Sequence, residues 1–368
     1  RNAVGTPSWR RADGTTFPLQ SPFGAKNNFF IDPLIRTPYT QQWSLNTQYE
    51  FIKNMILDAR YVGSRGVGLL GRVNLSRPLD PRVTPVNGFT AIYNRTGALV
   101  NPDFFVAPEF LGLSRNGGFQ QLSNWAHSNY HAMQLQMRGR FRSSVNWNVA
   151  YTFSKSIDNM SSDASLAEHD ASDLANNRGL SDFDRPHRLT AAYVMNMPTL
   201  WGGNRVGRQI TGGWRLSGLV TMQSGTPFSA LGAGTRNAFF AQPSRVRLDV
   251  APGMTTEAAQ LSGRIQDRLD RYYDVMAFQD SLDHWGTSGR NILRGPRQTQ
   301  FDFSLSKTTK LREQLRMEFR WELFNAFNTP VFANPGSTFA ANGFGDAGRI
   351  TRTIGGPRTM QAAVKLQF

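Results

Sequence analysis

YHAMQLQMRGRFRSSVNWNVAYTF, residues 130–153, decides how the rest of the chain is read. From Met133 the first half alternates, with Met133, Leu135 and Met137 on one side and Gln134, Gln136, Arg138 and Arg140 on the other. The second half repeats the pattern, setting Val145, Trp147, Val149, Tyr151 and Phe153 against Asn146, Asn148, Ala150 and Thr152. Successive side chains of a strand face opposite sides, so each half presents one apolar and one polar ribbon. Arg142, Ser143 and Ser144 alone separate the halves, a length that suits a hairpin loop. Strands of a soluble sheet usually run ~5–6 residues. Runs of ~9–11 residues, apolar on one face and polar on the other, fit a tilted strand that crosses a membrane as part of a barrel.

The same alternation recurs on both sides of this hairpin. It predicts strands over Gln41–Glu50, Met55–Ser64, Arg188–Met197, Gly213–Gln223, Gln300–Thr309, Gln314–Phe324 and Met360–Phe368. Residues 1–40, 65–128, 156–186, 224–299 and 325–358 carry Pro, Gly and Asn without a sustained period and read as loops. Within the longest, Leu261, Ile265 and Leu269 predict one amphipathic helix over Thr256–Tyr273. A Gly-rich turn is expected between Met197 and Gly213. Short and long connections thus alternate along the chain. Loops beyond ~12–15 residues are uncommon in compact soluble domains, whereas outer-membrane barrels pair short periplasmic turns with long outer loops. On that parity the last strand runs inward and leaves Phe368 on the periplasmic side. Nine strands is an odd number where bacterial barrels have even ones. Either further strands lie in the long loops or the chain is the C-terminal part of a larger barrel.

Bulk properties agree with this reading. No run of 18 apolar residues is present, so no transmembrane helix is expected, and a mean hydropathy of −0.42 does not argue against barrel strands. The absence of cysteine excludes disulfides, thiolate nucleophiles and cysteine-based metal sites. A net charge of +15 raises nucleic acid as a partner, but the arginines are scattered among the strands and no nucleic-acid motif collects them. A water-filled lumen, or loops near anionic lipid, accounts for them more simply. Because the sequence starts at Arg1, a fragment or processed product is expected.

The wording of the segments resembles the C-terminal barrel region of TonB-dependent outer-membrane receptors of the Oar-like group common in acidobacteria. The stretches that carry the resemblance are TPYTQQWSLNTQYE (37–50), ARYVGSRGVGLL (59–70), SNYHAMQLQMRGRF (128–141), YTFSKSIDN (151–159) and LSDFDRPHRLTAAYVMNMP (180–198). They continue with GGWRLSGLVTMQSGTPF (212–228), GRNILRGPRQTQFDFSLSKT (289–308), MEFRWELFNAFNTPVF (317–332) and the terminal QAAVKLQF. No one motif is strong; their joint order is. The resemblance implies an all-β, antiparallel 22-stranded transmembrane barrel of a Gram-negative outer membrane, closed by a plug domain and energised through TonB. Residues 1–368 would supply its C-terminal strands and long outer loops, and neither a plug, a TonB box, a signal peptide nor a carboxypeptidase-regulatory-like domain is recognisable in them.

Candidate sites follow from the pattern. Phe368, with Leu366, Val364 and Ala362, resembles the aromatic-ended strand that barrel-assembly machinery reads; an ordinary last strand of a soluble sheet is the rival. Arg316, Glu318, Arg320 and Glu322 form a candidate lumen-facing charge ladder that pairs with neighbouring strands, or contacts a plug or a passing solute. Trp43, Trp147, Trp214 and Trp321 suit interfacial girdles better than a carbohydrate-stacking surface, because they lie on the apolar side. Asp158, Asp163, Glu168, Asp170, Asp173, Asp182 and Asp184 lack the spacing of a calcium loop and read as a solvated segment. His127 and His131 would lie ~13 Å apart on a strand, too far for one metal ion. Asp182, Asp184 and His187 invite an acid–base reading that no nucleophile or metal motif supports. No cofactor, metal or enzymatic activity is therefore expected. The function expected is binding and import of a scarce or large solute; the alternatives are an outer-membrane anchor for adhesion or matrix contact and, more remotely, a soluble basic binding protein.

Overall fold

The computed structural model describes residues 8–10, 16–18, 28–74, 119–142, 144–162, 174–232, 246–281, 285–312, 314–340 and 343–368. Nine long strands dominate: β1 (Tyr39–Ile52), β2 (Met55–Asn74), β3 (Phe119–Phe141), β4 (Val145–Asp158), β5 (His187–Asn196), β6 (Trp214–Gln223), β7 (Gln298–Lys310), β8 (Arg316–Phe324) and β9 (Thr359–Gln367). They pair antiparallel in sequence order as one meander, without crossovers. Every segment expected from alternation is a strand.

The register turns nine local alternations into two continuous faces. Ile52, Met55, Gly139, Trp147, Tyr193, Gly218, Phe303, Leu323 and Met360 lie side by side across all nine strands. On the opposite face run Gln48, Asp58, Gln136, Ala150, Thr190, Thr221 and Gln300, and farther along Ser304, Glu322 and Gln361. Nine strands at ~4.8 Å spacing with ~25 Å of apolar height make roughly 1,000 Å² of greasy surface. The largest apolar patch of a soluble monomer is ~300–600 Å². Leu45 is 74% exposed and Val364 64%, and Met133 on a central strand is 46% exposed, so among the described residues this face stays largely uncovered. Lipid is the solvent it suits.

The short connections are 53–54, 142–144, 197–213 and 311–315; the long ones, at the other end, are 75–118, 159–186, 224–297 and 325–358. Measured from the short turns, the hydrogen-bonded row climbs by about one residue per strand, which at ~3.3 Å rise and ~4.8 Å spacing tilts the strands by roughly 35°, at the lower end of the barrel range. The sheet is not closed. Among the described residues, β1 pairs only with β2 and β9 only with β8, and every residue of both edge strands is exposed.

Glycines on the apolar face serve as seats for aromatic rings. Trp43 covers Gly63, Trp147 covers Gly139 and Tyr193 covers Gly218, each from the directly opposed position on the neighbouring strand. A Cβ at Gly139 would meet the Trp147 ring at 2.6 Å, and one at Gly218 the Tyr193 ring at 2.7 Å. We expect Gly218→Val to push the Tyr193 ring off the sheet and to cost about 1–3 kcal/mol through overpacking. Urea unfolding of the lipid-reconstituted protein checks the cost; a midpoint within error of the unsubstituted protein would show the seat to be dispensable.

The long connections fold over one end of the sheet instead of remaining loops. Pro227–Phe228 pairs with Leu293–Arg294, Leu231–Gly232 with Val246–Arg247 and Thr338–Phe339, and Asp249–Val250 with Phe278–Gln279. Phe228, Tyr273, Phe278, Leu293 and Phe339 bury a hydrophobic core between these pieces. This cap is thus a small globular unit.

Several expectations need correction. The helix expected over Thr256–Tyr273 is absent apart from a 3-10 turn at Ile265–Arg268. Gly263, at φ 111°, breaks the helical path, and the Arg268 guanidinium takes the carbonyls of Leu261, Gly263 and Tyr272 that helical N–H groups would need. The Gly-rich turn contains helix α1 (Arg205–Thr211), capped by Asn204. β2 and β3 extend well into the segment read as loop 65–128. Their alternation is interrupted by two register shifts around Gly66, Leu69 and Gly71, which hides the strand from a period-2 reading. The middle of that loop, 75–118, lies outside the described residues. Residues 1–40, read as a loop, include paired Ser8–Arg10 and Thr16–Pro18, and Asn28–Ile31 runs parallel beside Phe119–Leu122. Among the described residues, no helix is long and apolar enough to cross a membrane.

Candidate functional site at the rim beneath the cap

Two arginines of the GRNILRGP segment fasten the cap to the end of the sheet. Arg290 reaches the last residue of β4: its Nη1 donates to Asp158 Oδ1 at 2.6 Å, and to the carbonyls of Asp158 and Asn177 at 3.1 and 3.3 Å. Its Nη2 donates to Ser161 Oγ at 2.7 Å and to Asp182 Oδ1 at 3.1 Å. The side chains of Arg290 and Asp158 are only 5% and 2% exposed. One turn further, Arg294 Nη2 donates to Asp184 Oδ2 at 2.7 Å, while the other Asp184 oxygen accepts the Ser156 backbone N–H at 2.7 Å. Asn291, at φ 56°, donates from its side-chain amide to Asp182 and to the Leu180 carbonyl, both at 2.7 Å. Charge-assisted bonds of this length in a dry setting are strong only as a complete set. Arg290 and Asp158 are the dry centre of this set, while Asp182 is 62% exposed at its edge.

The backbone makes room for the clasp. Gly179, beside the end of β4, passes so close to Arg290 that a Cβ there would meet the Arg290 carbonyl oxygen at 2.5 Å. Leu174–Asn177 forms a 3-10 turn that delivers the Asn177 carbonyl, and the buried Ser156 and Ser181 hydroxyls share a hydrogen bond of 2.8 Å. Arg185, next to Asp184, donates to the Ser224 carbonyl at 2.6 Å. Burial, with Arg188 and Arg294 nearby, holds its guanidinium below the ordinary arginine value.

Beside the clasp a cavity of about 590 Å³ opens at the ends of β6 and β7, lined by Ser224, Gln260, Arg264, Arg268, Tyr272, Arg294 and Arg297. No carboxylate lines it, so the site suits an anionic or carbonyl-rich group. Deeper in the cap, Tyr273 donates to the Gly336 carbonyl at 3.1 Å, and burial pushes its phenol well above the usual tyrosine value. The sign follows from linkage: the folded phenol ionises later than the unfolded one. Its contribution to cap stability is complete below ~10, the unfolded value, and is lost as pH rises from there through the folded value. In an alkaline ultraviolet titration Tyr273 is expected to ionise late, as the cap opens, and Tyr273→Phe should delete that step. Ionisation of all nine tyrosines in one ordinary transition near 10 would refute it.

The acidic segment divides. Asp158, Asp182 and Asp184 are clasp ligands, and Asp158 and Asp184 are buried, which corrects their reading as a solvated stretch. Asp163, Glu168, Asp170 and Asp173 lie outside the described residues. Asp182 and Asp184 do not converge on His187. That histidine stands on the apolar face, its Nδ1 2.8 Å from the Tyr151 hydroxyl, and His131 repeats the arrangement with Tyr61 at 2.7 Å. His127 and His131 both lie on β3. Among the described residues, no group of three or more His, Asp or Glu is placed to hold a metal ion.

Arg316, Glu318, Arg320 and Glu322 share the polar face of β8. Arg320 pairs with Glu318 on its own strand at 2.7 Å, while Glu322 accepts from Gln361 of β9 and Glu318 lies opposite Lys365. The ladder therefore pairs along its strand as well as across it. Ala362, Val364 and Leu366 stand on the apolar face of β9, opposite Trp321, Phe319 and Met317, and Phe368 ends the chain 94% exposed. Trp43, Trp147, Trp214 and Trp321 are all on the apolar face. The arginine–aspartate clasp was missed from sequence because its partners are over a hundred residues apart.

Comparison with known proteins gives a family. The family model described as "Outer membrane beta barrel domain" matches residues 3–361. No curated protein matches. Among solved structures, the outer membrane transporter YddB of Escherichia coli aligns with TM-score 0.47 and 10% identity over 93% of this chain and 34% of its own. The ferric-catecholate import receptor Fiu of Escherichia coli aligns with TM-score 0.39 and 10% identity, covering 90% and 28%. The ferric yersiniabactin uptake receptor FyuA of Yersinia pestis aligns with TM-score 0.34 and 10% identity, covering 89% and 29%. The chain spans about a third of the length of these proteins.

Proposed function

Because the chain belongs to the outer membrane beta barrel domain family and so resides in the outer membrane, we propose that it forms part of the wall and outer cap of an Oar-like TonB-dependent receptor that binds and imports a scarce or large solute. The observation that carries this reading is the folded cap, clasped by Arg290 and Arg294 over the long-loop end of a sheet with one apolar and one polar face. A wall that only anchors has no need of a rigid, arginine-lined structure over its mouth. In this reading the apolar face meets lipid and the polar face, with Arg316, Glu318, Arg320 and Glu322, lines the lumen. The cap faces outside, and its cavity makes first contact with the solute.

The nine-strand sheet is open, and in this reading a 22-stranded barrel with a plug domain and a TonB-contacting box elsewhere in the protein supplies the strands that close it. The aromatic-ended β9, with Ala362, Val364, Leu366 and Phe368, is the segment offered to the barrel-assembly machinery. No catalytic role is assigned to any residue. The test is binding of the periplasmic domain of TonB to the natural protein purified in detergent. Saturable binding supports import. A protein that ignores TonB, yet holds cells to a surface or matrix, would make the barrel an adhesive anchor instead.

A further inference from the structure

Helix α1 sits at the short-turn end on the apolar side of the sheet, in the connection between β5 and β6. Its position is set by Lys307, which is cross-strand to Trp214 on the apolar face. The Lys307 amine lies 4.8 Å above the Trp214 ring and donates to the carbonyls of Ile210 and Gly212 at 3.0 and 2.8 Å, at the C-terminal end of α1. Trp214 Nε1 donates to the Ile210 carbonyl at 2.8 Å. A lysine on the lipid face thus turns its charge to the helix end, where the dipole is negative.

The helix has two unlike outer sides. Val206 and Ile210, one turn apart, are 64% and 57% exposed, and the adjoining Leu200 and Trp201 are 75% and 66% exposed. Gly207 is buried against the Trp201 carbonyl, so these apolar groups are turned away from the protein. Beside them Arg205 and Arg208, with Lys310 at the end of β7 and Arg312 after it, line a groove of about 1340 Å³ in which, among the described residues, no acidic side chain takes part. Exposed apolar groups next to cations with no acidic partner among the described residues are mismatched to water. They match the headgroup boundary of a bilayer, where apolar groups sink to the acyl level and cations meet phosphates. The surface also continues the lipid-facing ribbon through Trp214.

We propose that 199–212 is a membrane foot that binds phospholipid of the periplasmic leaflet. Trp201, Val206 and Ile210 enter the acyl boundary, and Arg205 and Arg208 hold lipid phosphate. The assignment rests on the membrane-spanning reading of the sheet. Since the chain contains no cysteine, single nitroxide labels can be placed without background. In the natural protein, reconstituted in phosphatidylethanolamine–phosphatidylglycerol vesicles, labels on Val206→Cys and Ile210→Cys should show an oxygen-to-nickel accessibility ratio several-fold above that of Gln209→Cys. They should approach the ratio of Leu45→Cys on the belt. Equal, water-like ratios at 206, 209 and 210 would overturn the foot, as would labels shielded from both reagents, which would mean a protein partner covers it. A water-like ratio at position 45 would instead bring down the barrel reading, and the foot with it. Arg205→Gln combined with Arg208→Gln should lower the phosphatidylglycerol that stays bound through detergent purification several-fold; unchanged retention would refute the phosphate contact.

Discussion

Arg290→Met is expected to release the cap from the end of β4 at a cost of about 3–5 kcal/mol. The substitution keeps much of the side-chain volume, so the loss comes from charge. It strands the Asp158 carboxylate, 2% exposed, beneath the cap with its guanidinium partner gone and only the Ser161 hydroxyl still donating to it, and it removes the Arg290 donor from the Asn177 carbonyl. Desolvating a carboxylate without a partner is the dominant penalty. The measurement is hydrogen exchange over 174–186 and 285–297 in the reconstituted protein, where protection should fall by several orders of magnitude. Adding Asp158→Leu should restore most of it, because removing both charges of a buried pair costs far less than removing one. Undiminished protection in the single variant would mean that the hydrophobic core around Tyr273 and Phe339 holds the cap without the clasp.

Ala191→Arg and Ala192→Arg should differ by about 2–4 kcal/mol, the second being the milder. The two positions are adjacent in β5, identical in residue type and alike in exposure. Ala191 lies between Val149 and Val220 on the apolar face, and Ala192 between Asn148 and Leu219 on the other. Mid-belt arginine on the lipid side must snorkel or draw water into the bilayer, whereas in a hydrated lumen it costs ~0–1 kcal/mol. Equilibrium unfolding from vesicles measures both. Equal penalties would show that the sheet does not divide lipid from water.

Much of the wall was legible in the sequence because its physics is local. Period-2 alternation at Met133–Met137 or Val145–Phe153 requires only that one ribbon meet lipid and the other water, and all nine such segments are strands. The outward extensions of β2 and β3 were hidden, since above the belt no apolar demand sustains the alternation and bulges at Gly66–Gly71 shift its phase. The cap was illegible for a different reason. Phe228, Phe339 and Leu293 meet across short strands of two residues, too brief for any period, and Gly263 overrides the helical spacing of Leu261, Ile265 and Leu269. Asp158 and Arg290 find one another over 132 residues, a pairing that only the folded register creates. The seats for aromatic rings needed register as well. Gly139 looks like a strand breaker until Trp147 is known to lie opposite.

The two unpaired margins of the sheet make the bilayer itself an inspector of assembly. Among the described residues, β1 and β9 each carry a row of peptide N–H and C=O groups with no strand beside it, along an edge otherwise suited to hydrocarbon. Each such group left dry costs several kcal/mol. An incomplete wall of this kind therefore has no resting place in the membrane: it finds its neighbouring strands, stays with a chaperone, or joins the wrong edge. Proofreading of this kind is thermodynamic, and it acts beside any reading of β9 by the assembly machinery.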